Sequence, residues 1–477
     1  MKKSKQELTA EANHAEDGNI KLRIYHAPRN ERYEMGKQLR KTCPRSSHAL
    51  WQAPANRKDP IDLLLASEKG RMPELLPLRH GRMSRSPFTF YRGSAFNMAA
   101  DLADTPVSGL FVQACGDAHL CNFGGFATPE RNIIFSINDL DETLPAPWEW
   151  DVKRLAASFV IACRNNNLSE TVAKEAALEC VRSYRVNMAA YSEMRILELW
   201  HISLTADKMI SKLRDPKMMA RGSKRLEKER GRSIAEDIFP QLVKGTGSST
   251  FIKDNLPAIF HIKGHTPGEI TEAVKEAFEL YRQTLPPVYS FFLERYELKD
   301  VAIKVVGVGS VGTLCWVLLL MTADGDTLFL QVKEARPSVL EPFAGKSFYP
   351  NHGQRVVNGY RLIQPFSDPF LGWTKGKLGR HYYFRQLRDI KISMRVETFG
   401  EPEMIAYADW CGQAMALSHS RSGDAAMLSG YMGTSDTFDK AIAGFSFAYA
   451  DQNEKDYAAL KREIKKGKIA AQYEEQG

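Results

Sequence analysis

Gly307-Val308-Gly309-Ser310-Val311-Gly312 runs straight into Thr313-Leu314-Cys315-Trp316-Val317-Leu318-Leu319-Leu320-Met321, and Leu330-Gln331-Val332-Lys333 follows shortly after. The fold turns on this stretch. Gly-x-Gly-x-x-Gly alone is a weak signal, because glycines permit tight turns of many kinds. A dinucleotide-binding unit needs a helix directly after the glycines, whereas Thr313 to Met321 is an apolar, strand-like run. A Walker loop needs Gly-Lys-Ser/Thr, which is absent. What fits is a glycine-rich turn between strands whose backbone covers nucleotide phosphates, with a later strand lysine facing the α and β phosphates. Gly307, Gly309, Ser310, Gly312 and Lys333 are therefore candidate nucleotide-binding residues. The plainer alternative is a glycine hairpin with a lysine pointing to water.

Working outward, Val301 to Val306, Thr313 to Met321 and Thr327 to Val332 read as successive strands, the last two joined by Asp324-Gly325-Asp326. Phe370 to Thr374 and His381 to Leu387 read as two more, so residues 301–390 are expected to form a small antiparallel sheet. Before it, residues 151–298 repeat apolar side chains at three- and four-residue spacing and predict helices. After it, Glu403 to Ser420 is helical and Lys461 to Gly477 is a charged tail expected to fray. Residues 1–75 read as a polar extension with one helix at Ile61 to Ser67. Leu110 to Ala114 and Ile133 to Ile137 read as strands around a turn-rich Phe123 to Glu130.

That hairpin carries acids at its ends, in Gly116-Asp117-Ala118-His119-Leu120-Cys121-Asn122 and Ile137-Asn138-Asp139-Leu140-Asp141-Glu142. Acids this dense at strand ends are costly unless a metal or a protonatable substrate uses them. Asp117 can accept a hydroxyl proton, the Asn122 amide oxygen can bind magnesium, and Asp139 would supply the principal magnesium carboxylate. His119 lacks a second His or Cys at ligand spacing and reads as a hydrogen-bonding brace for the loop. Cys115 and Cys121 read as small buried hydrophobes. Turn and helix-cap residues are the bland alternative for the whole acidic set. A metal-dependent hydrolase on Asp117, His119, Asp139 and Asp141 would leave the glycines unexplained.

Composition narrows the class. With 477 residues, 43% hydrophobic and 26% charged, the chain can bury two or three packed units, which excludes a disordered protein. The longest apolar run, Leu314 to Met321, is far below the roughly 20 residues of a membrane helix, and Met1 to Lys21 is polar, so a cytoplasmic protein with no membrane partner is expected. Seven cysteines without a Cys-x-x-Cys pair predict reduced thiols. The net charge of +8 is concentrated in Lys208 to Arg232, with ten Lys/Arg against three Asp/Glu. That segment is either a solvated helix face or a patch for an acidic or phosphate-bearing partner.

Phe90-Tyr91-Arg92-Gly93, Gly116-Asp117-Ala118-His119 through Asn122, Asn138-Asp139, Gln331-Val332-Lys333-Glu334-Ala335 and Arg385-Gln386-Leu387-Arg388-Asp389 together resemble the bacterial domain-of-unknown-function family 2252, over roughly residues 75–450. The loop at 116–122 also resembles the Gly-Asp-x-His-x-x-Asn catalytic loop of aminoglycoside and choline kinases, within the protein-kinase-like superfamily. That likeness implies Asp117 as catalytic base, Asn122 and Asp139 as magnesium ligands, and Asp151 as the acid bracing the loop. The glycine loop and lysine come about 190 residues after the catalytic loop, an order that a circular permutation would explain. The fold class so implied is α+β and two-lobed: 1–75 an extension, 76–300 a catalytic-loop and helical lobe, 301–390 an antiparallel nucleotide lobe, and 391–477 helices completing the larger lobe. The helix ending in Ser418-His419 resembles the one that leads into the catalytic loop.

A kinase pairs its lysine with a Glu on the next helix, yet residues 342–367 hold no acid, so Glu334 or Glu341 is expected to partner Lys333 if anything does. Arg82, Arg85 and Arg92 are candidates for an anionic substrate, with surface packing as the alternative. The function expected is phosphoryl transfer from ATP, with Mg2+, to an unknown hydroxyl acceptor. A non-catalytic nucleotide-binding module and a nucleotidyl transferase on the same fold are the alternatives.

Overall fold

A computed structural model describes residues 22, 25–231, 242–245, 250–261, 268, 270–305, 307–387 and 391–474. The strand pattern of the glycine region closes into a six-stranded antiparallel sheet. Across it the strands lie in the order Gly372–Lys375, His381–Gln386, Thr327–Ala335, Cys315–Met321, Glu297–Lys304 and Ile259–Phe260. Alternation decides its faces. Leu330 and Val332 point to an outer layer with Phe278, Tyr281 and Phe384, where the Tyr281 and Phe384 rings stack at 3.9 Å. Gln331 and Lys333 point the other way and stand opposite Arg385 and Tyr383 in register, so these four share one face.

The helix His352–Ile363 follows the lysine strand. Its Asn351 side chain caps the amides of Gly353 and Gln354. Facing the sheet is a helical body. Its centre is Trp148–Asn165, buried on all sides from Trp148 to Cys163, with its buried charges Glu149, Asp151, Lys153 and Arg154 gathered in the first two turns. Glu170–Glu193, Glu401–Ser422 and Thr437–Lys465 pack around it. Between body and sheet lie two small sheets: Phe111–Ala114 paired with Leu144–Pro147, and the hairpin Phe123–Ala127 with Ile133–Ile137, edged by Lys391–Ser393.

Four readings change. The turn-rich Phe123 to Glu130 contains a strand, Phe123–Ala127. The helical stretch 151–298 is broken by the short strands Val243–Lys244, Phe251–Ile252 and Ile259–Phe260, the last extending the main sheet. The tail does not fray after Lys465: Ile469 is buried, the Gln472 amide donates to Pro77 O, and Glu474 pairs with Arg82. Residues 25–75, read as an extension, carry the expected helix as Pro60–Glu68, but also an unexpected one, Arg29–Gln38, and Arg57 bridges Asp101 and Asp456 in the body. Residues 1–21, 23 and 24 lie outside the described residues. Among the described residues no helix is long and apolar enough to cross a membrane.

Candidate functional site

The loop after strand Phe111–Ala114 is held from both sides. Gly116 sits at φ +83°, and a Cβ there would lie 2.4 Å from Glu142 O, so only glycine fits. Asp151, in the first turn of Trp148–Asn165, accepts the amides of Cys115 at 2.5 Å and Gly116 at 3.0 Å. Its Oδ2 is 3.3 Å from His419 Nε2, and His419 Nδ1 is 2.9 Å from the Tyr184 hydroxyl. The Tyr407 hydroxyl lies 2.9 Å from both Leu120 O and Phe123 O. These groups are buried, so the loop geometry is set by the body rather than by the loop itself.

Three residues after Asp151, on the same helix face, Arg154 donates through Nε to Asp117 Oδ1 at 2.8 Å and also through Nη2 to that oxygen. Asp117 Oδ2 is left facing the cleft, 3.9 Å from His119 Nε2. The His119 ring is not the expected brace: its Nδ1 is buried without a partner, while the loop is tied by backbone bonds from His119 N to Asp117 O and from Asn122 N to His119 O. Burial, reinforced by Arg92 and Arg154, depresses His119 to about 3, so the ring is neutral at neutral pH. Asn122 Nδ2 donates to Asp117 O at 2.8 Å, which leaves its Oδ1 as an acceptor.

The acidic turn at 139–142 meets the lysine strand. Lys333 Nζ bonds Asp141 Oδ2 and stands 3.6 Å from Asp139 Oδ1, and the Tyr383 hydroxyl donates to Asp141 Oδ1. Burial raises the Asp139 carboxyl, but Lys333, Arg385 and Lys391 outweigh it and hold the group at about 2. Asp141 is pushed up by burial and by Asp139 beside it. Burial would lower Lys333, yet the two carboxylates carry it above its usual value.

Neither acid proposed for Lys333 serves it. Glu334 pairs with Arg380 at 2.8 Å, and Glu341 accepts the Ser338 amide at 3.3 Å. The facing helix supplies Arg355 instead, buried and donating to the backbone oxygens of Thr143, Asp141 and Arg336. This helix grips the acidic turn and leaves the lysine to Asp141.

The glycine segment forms one short turn, Val308–Ser310. Arg79, 1% exposed, donates to Val308 O, Gly309 O and Gly93 O, and Arg71 donates to Val311 O. A Cβ on Gly309 would lie 3.2 Å from Arg92 O and 3.9 Å from Asp117 Oδ2. The turn thus closes over the carboxylate loop. A cleft of about 1360 Å³ joins all these groups, lined by Gly307, Gly309, Ser310, Asp117, His119, Asn122, Asp139, Asp141 and Lys333. Eleven Lys/Arg and seven Asp/Glu line it, and an excess of cations favours an anionic ligand. Gly312 and Asp151 lie behind the wall: Gly312 O accepts the Met72 amide, and Asp151 is inside the body.

Sequence reasoning assigned no site role to Arg154, Arg355 or Arg385, the last appearing only within a motif of the resemblance. Arg154 had one signal, its three-residue spacing from Asp151. Arg385 donates to Gln331 Oε1 at 2.8 Å across the strand pair, which only the register reveals. Among the described residues no group of three or more His, Cys, Asp or Glu could hold a metal ion, so the four hydrolase residues do not gather into a metal centre. Asp139 with Asn122 offers one carboxylate and one amide oxygen, a set that suits magnesium when phosphate oxygens and water complete it. All seven cysteines are free. The basic segment forms the helix Pro216–Arg230, with Arg221 on Glu403 and Arg230 on Asp207; Arg232, like Arg388 and Asp389, lies outside the described residues.

A family model described as "Uncharacterized protein conserved in bacteria (DUF2252)" matches residues 71–463. No curated protein and no solved structure matches the chain.

Proposed function

We propose a function for a chain that belongs to the bacterial DUF2252 family: it binds a nucleoside triphosphate with magnesium in the cleft and transfers a phosphoryl group to a hydroxyl acceptor, on a two-lobed kinase-like fold of permuted order. One observation carries the reading. Lys333 and the Asp139–Asp141 turn, 192 residues from Lys333 to Asp141, meet beneath a glycine turn that also reaches Asp117. Further support comes from the order of parts in the sheet: glycine turn after the first long strand, lysine on the third of the meander, a helix next, as in protein kinases.

In this reading the chain's own groups act mostly by position and charge. Lys333, held cationic by Asp139 and Asp141, faces the phosphates, and the glycine backbone approaches them without side-chain obstruction. Asp139 and Asn122 would hold magnesium, which supplies charge neutralisation on the phosphates when bound. Asp117, its Oδ1 fixed by Arg154, presents Oδ2 to the acceptor hydroxyl. The same Arg154 pairing favours one alternative, a non-catalytic nucleotide-binding module, because the guanidinium already occupies one of the two Asp117 oxygens.

The test is thermal unfolding with ATP or GTP, with and without magnesium. A ligand that binds only the folded state raises stability by mass action, about 2.7 kcal/mol at a hundred times its Kd. The expected outcome is a magnesium-dependent rise in Tm that Lys333→Ala diminishes. No shift at millimolar nucleotide would remove the reading.

A further inference from the structure

The three arginines upstream of the carboxylate loop are separated by the fold. Arg82 and Arg85 both reach Glu474. Arg92 does not: half-buried, it lines the cleft with its guanidinium 5.9 Å from the Phe88 ring, and its Nε is buried without a hydrogen-bond partner. A buried N–H left in this state is costly unless a ligand completes it. His119, 3% exposed in the same wall, also keeps a buried, unpartnered nitrogen. His119 Nε2 lies 3.9 Å from the one Asp117 oxygen that Arg154 does not take, and Arg92 lines the same cleft. The point where a Gly309 side chain would begin is within 4 Å of both Arg92 O and Asp117 Oδ2. Around Asp139 the same cleft has other cations, Lys333, Arg385 and Lys391, so the phosphates of a nucleotide do not need Arg92.

We propose that the acceptor is an anionic hydroxyl compound, a hydroxy acid or a phosphorylated alcohol, whose oxyanion is held by Arg92 and whose hydroxyl meets Asp117 Oδ2. The proposal rests on the phosphotransfer reading and narrows it. In the step, the acceptor oxygen forms a bond to the γ-phosphorus, and the bond from that phosphorus to the bridging oxygen breaks. ADP leaves with the electron pair, and the hydroxyl proton passes to Asp117. The wall also excludes a class: aminoglycosides and choline are cations, which an unpaired guanidinium repels.

Calorimetric titration of the full chain, saturated with magnesium and the imidodiphosphate analogue of ATP, tests this. The probes are sn-glycerol 3-phosphate and D-glycerate, with glycerol and choline as uncharged and cationic controls. At least one anion is expected to bind and both controls to fail. Arg92→Gln should weaken the anion about tenfold or more, the scale of one charge-assisted contact, and Arg92→Lys should recover part of it. Analogue affinity in Arg92→Gln should stay within about twofold of wild type, which also reports that the variant is folded. Glycerol 3-phosphate binding alone, or glycerate binding alone, identifies which oxyanion the site takes. Failure of both anions, equal binding by Arg92→Gln, loss of the analogue in that variant, or tighter binding of choline overturns the proposal. Failure of the analogue on wild type removes the phosphotransfer reading itself.

Discussion

Asp117 and Asp139 differ in what stands beside them, and their variants should differ accordingly. Asp117 is fixed by one guanidinium and keeps one oxygen for a proton, while Asp139 sits among three cations with its carboxyl held near 2. Asp117→Asn preserves shape and removes proton acceptance, so turnover measured as ADP release should fall by about 10² to 10⁴ with nucleotide affinity retained. Asp139→Asn should instead lose the magnesium-dependent part of nucleotide binding. Unchanged turnover in Asp117→Asn would withdraw its assigned role. A pH dependence follows from buried histidines. His48 and His119 are each lowered to about 3, by burial with Lys153 and by burial with Arg92 and Arg154. Below about 6.5 the unfolded chain binds protons that the folded chain refuses, so stability falls as pH drops from 6.5 toward 3. Tm measured at pH 7, 6, 5 and 4 should decline, and His119→Gln should flatten the slope; a Tm constant over this range would contradict neutral burial. The carboxylates and Asn122 were legible here by spacing. Arg154 was not, because its role depends on how its helix packs against the loop.

The glycine turn was expected from its residues, but not its anchorage. Nothing in Gly307 to Gly312 announces that Arg79, more than 200 residues earlier, donates to two of its carbonyls, or that the Met72 amide reaches Gly312 O. A turn tethered in this way is less mobile than its glycines suggest. Arg79→Met should therefore speed amide hydrogen exchange in residues 307–313 by about tenfold or more, one such charge-assisted bond being worth roughly 1.5 kcal/mol or more. Equal exchange would mean that packing, not the arginine, holds the turn. Strand existence was read from apolar, β-branched runs. The partner of Lys333 was not, because the helix His352–Ile363 holds no acid and the carboxylate comes from Asp141, on a turn that Arg355 of that helix also grips.

Across the whole molecule, sequence order and spatial order diverge. The loop at 116–122 is completed by His419 and Tyr407 from the helix Glu401–Ser422, which also packs on Glu170–Glu193. A fragment of residues 76–300 lacks that helix and leaves apolar faces such as those of Tyr184 and Cys180 uncovered. It should fail to melt cooperatively by circular dichroism, whereas a cooperative transition would show an independently folding half. By itself the sequence determined the antiparallel strands, the long helices and the two residue clusters at 116–142 and 307–333, because periodicity and turn chemistry act over a few residues and are written locally. Only the tertiary structure decided that these clusters share one cleft, that Asp141 serves Lys333, and that Arg92, unlike Arg82 and Arg85, reaches no acid among the described residues. Those outcomes depend on burial and on charges brought together across some 200 to 400 residues, and such Coulomb and desolvation effects act through distance in space, which no local pattern records.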